Sequence, residues 1–83
     1  MTYTVKWTED AAAARDALPE DRRALLAKAV DILSEDPYAP GTHAVGDGDI
    51  RVTNVAPGMV VDYAVHSRFV FLYVLQVMDG TLL

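Results

Sequence analysis

Among the side chains that could handle phosphate or move a proton, Arg51, His43, and His66 with Arg68 are the candidates. An arginine offers a rigid fork of donors to a phosphate, but Arg51 on a half-buried strand could equally face outward and pair with Asp49 or Asp62. A histidine can act as general acid or base, which makes His43 a catalytic candidate. A lone histidine in a loop is also the ordinary solvated residue. His66 and Arg68 flank a turn between two strands, and Tyr63 and Tyr73 alternate with aliphatic residues as core side chains do. The two histidines and the scattered carboxylates lack metal-ligand spacing. Asp47-Gly48-Asp49 is too short for a calcium loop, and neither a phosphate-cradling glycine loop nor a nucleophile elbow occurs. No metal or cofactor is expected.

Composition narrows the classes further. Eighty-three residues predict one domain spanning 1–83, close to the size at which a single core only just suffices. Twelve carboxylates against seven Lys and Arg leave a net charge of −5, which makes free nucleic acid a poor default partner. Arg22-Arg23 reads most simply as the solvated side of a helix. The absence of cysteine excludes disulfides and agrees with a reducing compartment, so a cytoplasmic protein is expected. The start, Met-Thr-Tyr-Thr-Val-Lys-Trp, lacks the features of a secretion leader. The longest apolar run, Phe69 to Leu75, has seven residues, against the ~20 of a membrane-spanning helix.

The elements that must position these residues follow from periodicity. Tyr3, Val5 and Trp7 alternate with Thr and Lys, predicting a strand over residues 2–7. Thr8 is placed to cap a short alanine-rich helix that ends near Leu18. Pro19, Glu20 and Asp21 open a second helix running to about Ser34. Leu26, Ala29, Val30 and Leu33 form its buried stripe, broadened by Leu25 and Ile32. Pro37 ends that helix, and Asp36 to Gly48 has the Pro, Gly and Asp content of a surface loop. Three strands then follow, separated by Ala56-Pro57-Gly58 and His66-Ser67-Arg68. In the last, Phe69 to Val77, both alternating sets are apolar: Phe69, Phe71, Tyr73, Leu75 and Val77 against Val70, Leu72 and Val74. Such a strand should be covered on both faces. One helical pair covers one face, so the other calls for the tail Met78 to Leu83, a second copy of the chain, or a different protein.

With this order in place, the chain resembles the RelE/ParE superfamily, the toxins of type II toxin–antitoxin pairs. The resemblance runs over nearly the whole chain: the opening Tyr3 to Ala11, Leu18-Pro19-Glu20-Asp21-Arg22, Ile32 to Pro37, Gly41, Gly46, Ile50-Arg51, and Gly58 with Val61-Asp62-Tyr63-Ala64-Val65. It implies an α+β fold of order β-α-α-β-β-β, an antiparallel sheet packed on two N-terminal helices. It also implies a toxin restrained by an antitoxin, acting as a ribosome-dependent mRNA endonuclease or, in the ParE branch, as an inhibitor of DNA gyrase.

The nuclease branch needs basic and polar side chains converging on one phosphate. Arg51 meets the family's basic position on the strand, and His43 stands where a lysine is common. Elsewhere the sequence departs from the pattern. Thr53 replaces a second basic residue, Met59-Val60 replaces the usual Tyr-Arg, and Met78-Asp79-Gly80 replaces a basic ending. The expectation is therefore a toxin whose ribonuclease activity is weak or altered. The alternative is a non-catalytic binding module of the same fold, or a domain that self-associates. The candidate catalytic residues are Arg51 and His43, and the candidate binding residues are Arg68, Met59, Val60, Val70 and Leu72. The expected partners are an antitoxin protein, the ribosome with mRNA, and a second copy in a homodimer, with no membrane.

Overall fold

The structure is a computed structural model describing residues 2–46 and 49–80. Its elements are β1 (Thr4–Trp7), α1 (Glu9–Ala17), α2 (Glu20–Glu35), β2 (Thr42–Ala44), β3 (Ile50–Ala56), β4 (Met59–His66) and β5 (Phe71–Asp79). They form one five-stranded sheet in the order β1-β5-β4-β3-β2 with both helices on one face. The expected α+β fold is present, with two refinements. The stretch read as pure loop holds the short edge strand β2, which pairs antiparallel with β3 from Thr42 opposite Thr53 to Ala44 opposite Arg51. The sheet is mixed, because β1 runs parallel to β5.

Thr8 fixes where the first helix starts. Its hydroxyl accepts from the Ala11 N–H at 3.2 Å and donates to the Leu75 carbonyl at 2.8 Å, while its N–H reaches the Val74 carbonyl at 3.0 Å. One side chain thus caps α1, as the sequence suggests, and ties that cap to β5. Pro19 sits just before α2 rather than inside its first turn. Between β3 and β4, Gly58 adopts φ +76°, the left-handed region that a turn with Pro at its preceding position requires.

The core lies between helices and sheet. Ala11, Leu18, Leu26, Val30 and Leu33 meet Met59, Val61, Tyr63, Val65, Leu72, Val74 and Val77, all buried. On β4 every second residue faces the helices, giving strict alternation. On β5 the alternation breaks once. Tyr63 pairs with Val74 and Asp62 with Gln76, so Leu75 is an inserted bulge residue. The bulge returns Val77 to the core; without it Gln76 would face the helices. The two apolar sets read along this strand are therefore not its two faces. Leu72, Val74 and Val77 face the core, while Phe71 and Tyr73 share the opposite face with Val60, Asp62 and Ala64. Leu25 and Ile32, expected in the helical stripe, are 44% and 57% exposed. The tail expected to cover the second face lies, beyond Gly80, outside the described residues, as do Asp47 and Gly48.

Tyr63, fully buried on the central strand, donates its hydroxyl to the Pro37 carbonyl at 2.6 Å and so anchors the loop leaving α2. Burial pushes its phenol above the ordinary 10.0, with nearby Thr42 and Arg51 drawing it partly back.

Two predictions follow from these anchors. Thr8→Val removes both the cap and the bond to the bulge and should cost about 1–2 kcal/mol, a drop of roughly 4–8 °C in Tm per kcal/mol in a domain this small. Calorimetry of the two proteins checks this. For Tyr63, the raised folded-state pKa means that the unfolded chain loses its phenolic proton first, so stability is intact below pH 10.0 and falls as pH rises from there towards the raised value. Denaturant titrations from neutral to alkaline pH should show a steeper loss for wild type than for Tyr63→Phe. At neutral pH that variant should itself be about 1–2 kcal/mol less stable, since the Pro37 carbonyl loses its partner.

Candidate functional site

Register decides which side chains can meet, and it separates the candidates. Arg51 lies opposite Tyr63 and so points to the helix side of the sheet, where its guanidinium bonds the Thr42 hydroxyl at 2.9 Å and the Thr42 carbonyl at 3.2 Å. The same group stacks over the Tyr38 ring, 5.1 Å from its centroid. Neither Asp49 nor Asp62 pairs with it, so the expected ion pair is replaced by a scaffold contact holding the α2–β2 loop to β3. His43 lies opposite Val52 and is exposed on the other face. Arg51 and His43 therefore stand on opposite sides of the sheet and cannot act on one phosphate from these positions.

The other expected site residues divide in the same way. Met59 and Leu72 are fully buried beneath the helices, which removes them from any surface of the folded chain. Their strand parity, hidden in the uniformly apolar runs, places them in the core. Val60 is half-buried on the open face, opposite Asn54 and Met78. Val70 lies in the β4–β5 turn with φ +56°, a strained value for a β-branched residue. Arg68, in the same turn, rests over Phe69, which is 65% exposed. The turn is held from the helix side by the Tyr38 hydroxyl, 3.0 Å from the Ser67 hydroxyl. Thr53, where a basic residue was expected, is buried with its hydroxyl on the Gly41 carbonyl.

At the far end of the sheet, where the resemblance calls for a basic ending, the charges cancel each other. Arg22 reaches Asp79 at 3.0 and 3.1 Å and the Pro57 carbonyl at 2.6 Å, binding α2 to the end of β5 and to the β3–β4 turn. Its side chain is 15% exposed and that of Asp79 only 2%. Arg22 is thus a half-buried structural residue and not the solvated one its sequence context suggests. Only a partner 57 residues away explains it.

The open face is the remaining candidate surface. Val52, Val60, Ala64, Phe71 and Tyr73 are half-buried there, Met78 is 46% exposed, and Asp62 sits at the centre on β4. Lys6 on β1 lays its ammonium over the Phe71 ring at 4.3 Å, and His66 meets Tyr73 edge-on at 5.4 Å. The arrangement is an apolar platform edged by polar groups. Such a surface suits the docking of another macromolecule better than proton transfer. Beside it, on the helix side, a shallow groove between α2 and β3 is lined by Ile32, Leu33, Pro40, Thr42 and Val55. No group of three or more potential metal ligands occurs among the described residues, and no helix among them is long and apolar enough to cross a membrane.

Arg22→Met should withdraw the guanidinium from the Asp79 carboxylate in a largely covered site and cost about 3 kcal/mol. If the pair is structural as described, Arg22→Met combined with Asp79→Leu should recover much of that loss in a denaturant titration.

No family model matches the sequence, and no curated protein matches it either. Solved structures do. The RelBE2 toxin–antitoxin complex of Mycobacterium tuberculosis aligns over 95% of this chain and 99% of that one, at 18% identity and TM-score 0.82. The isolated RelE toxin of E. coli aligns over 93% and 83%, at 22% identity and TM-score 0.82. The archaeal RelE–RelB complex from Pyrococcus horikoshii aligns over 95% and 96%, at 22% identity and TM-score 0.78. The order, pairing and helical cover described above are, over nearly the whole chain, the fold of the RelE toxins.

Proposed function

We propose that this chain is the toxin of a type II toxin–antitoxin pair, restrained by a RelB-type antitoxin, and that it acts by binding its target without cleaving RNA. The observation that carries the first part is the alignment of nearly the full chain with toxins solved in complex with antitoxins. The second part rests on the placement of the charges. Cleavage would need cations converging on one phosphate, whereas Arg51 is engaged by Thr42 and Tyr38, His43 lies across the sheet, and Arg22 is spent on Asp79. The antitoxin's segment would lie over the open face, covering Val60, Phe71 and Tyr73, with Arg68 at its rim. The target, ribosome or gyrase, is one that a folded surface can block without chemistry.

Induction of the chain in a bacterial host should arrest growth, co-expression of the protein encoded by the neighbouring reading frame should relieve the arrest, and primer extension on ribosome-bound mRNA should show no new cleavage. Unimpaired growth would remove the toxin reading. Cleavage that disappears in Arg51→Ala would restore the endonuclease reading in place of the binding one.

A further inference from the structure

Among the described residues, the strands of the open face carry two full charges of opposite sign, Lys6 on the edge strand β1 and Asp62 on the central strand β4. Neither has an ion-pair partner among the described residues: the Asp62 carboxylate makes no hydrogen bond, and the Lys6 ammonium rests on the Phe71 ring. The register explains why they do not find each other. Lys6 pairs with Tyr73 and Tyr73 with Ala64, so Asp62 lies two strands across and two residues along. At ~4.8 Å per strand and ~3.3 Å per residue this is roughly 12 Å, too far to pair within one chain.

We propose that a second copy of this chain covers the open face, forming a face-to-face homodimer in which Lys6 of each copy meets Asp62 of the other. A two-fold interface demands that every contact occur twice, reciprocally. An axis lying in the interface, perpendicular to the line from Lys6 to Asp62 and through its midpoint, satisfies that demand for this pair. The midpoint falls on β5 between Tyr73 and Gln76, so the Tyr73 ring lies near the axis, with Phe71, Ala64 and Val60 around it. That gives an aromatic and aliphatic centre with a polar rim, the usual distribution in a protein interface. Charge complementarity also selects the occupant. The two helices hold seven of the twelve carboxylates, Glu9, Asp10, Asp16, Glu20, Asp21, Asp31 and Glu35, against four cations, Arg15, Arg22, Arg23 and Lys28, a net charge of −3 that would repel a second acidic chain, whereas the open face is balanced and self-complementary. A face about 22 Å across offers on the order of 1,000 Å² of total buried surface, the lower end for a specific interface. A dimer dissociating in the micromolar range is expected. The proposal does not rest on the toxin reading, and an antitoxin using the same face would compete with the second copy.

Light scattering on the eluting peak, at concentrations from about 1 µM to 1 mM in low salt, should show the mass rising from 9.1 kDa towards twice that value. Lys6→Asp and Asp62→Lys each place like charges opposite one another and should weaken dimerisation at least roughly tenfold, with circular dichroism confirming that both remain folded. An equimolar mixture of the two variants faces every carboxylate with an ammonium and should restore the dimer. A mass of 9.1 kDa at every concentration overturns the proposal. A dimer that neither reversal weakens overturns it as well, and so does a mixture that stays monomeric.

Discussion

A sheet has two faces and this chain has one helical layer. The central strand β4 shows the constraint most directly: Met59, Val61, Tyr63 and Val65 lie beneath α1 and α2, and the residues between them, Val60, Asp62 and Ala64, are only half-covered. Burial of the first set stabilises the fold at roughly 25 cal/mol per Å² of apolar surface removed from water. The second set adds little in the isolated chain and is free to vary with function. The strands on either side obey the same division, since their buried residues point to the helices from the same face as those of β4.

Keeping that division along β5 takes a bulge, and the bulge is tied to the first helix. Leu75 is inserted so that Val74 and Val77 both reach the core, and its carbonyl accepts the hydroxyl of Thr8, which also caps α1. Strand parity and helix entry are therefore set at one point. This explains how a strand apolar on both sides folds in a single register. An unanchored slip of one residue would exchange Leu72 with Phe71 and Val74 with Tyr73 at little cost in hydrophobicity.

The sequence was most readable where local chemistry acts alone. Thr8 as a cap, Pro37 as a helix stop, and the turns at Pro57-Gly58 and Ser67-Arg68 need only their neighbours. It was silent where the determinant is distant. Three residues, Thr42 to Ala44, carry no strand pattern and are strand only because β3 offers them an edge. Leu25 and Ile32 look like a broadened stripe, but the helix is rotated so that Leu26, Val30 and Leu33 are buried while Leu25 and Ile32 are exposed. Met59 and Leu72 look like surface residues in the sequence because nothing local fixes their parity. Arg22 and Arg51 each have an acid close by in the sequence, Asp21 and Asp49, and pair with neither. Folding gives one a carboxylate on β5 and the other a tyrosine ring in the α2–β2 loop.

The distribution of cations follows from this and bears on chemistry. Arg15 lies on Trp7 beside Asp16, Arg22 on Asp79, Arg51 on Tyr38, Lys6 on Phe71 and Arg68 on Phe69. Each of these five is seated on a ring or a carboxylate and they are spread over both faces and one tip of the sheet, while the other two cations, Arg23 and Lys28, are exposed on α2, on the helix side. To hold a scissile phosphate, several would have to leave such contacts, each worth up to about 1 kcal/mol for an exposed ring and more for the buried pair, while crossing from one face to the other. Phosphate affinity gained in that way would be spent on rearrangement. A ligand presenting an apolar surface with one complementary charge asks for no such movement, because Val60, Ala64 and Tyr73 already face it with Asp62 among them. The largely apolar character of the open face therefore arises from strand parity and from the pairing of cations inside the molecule rather than from net charge.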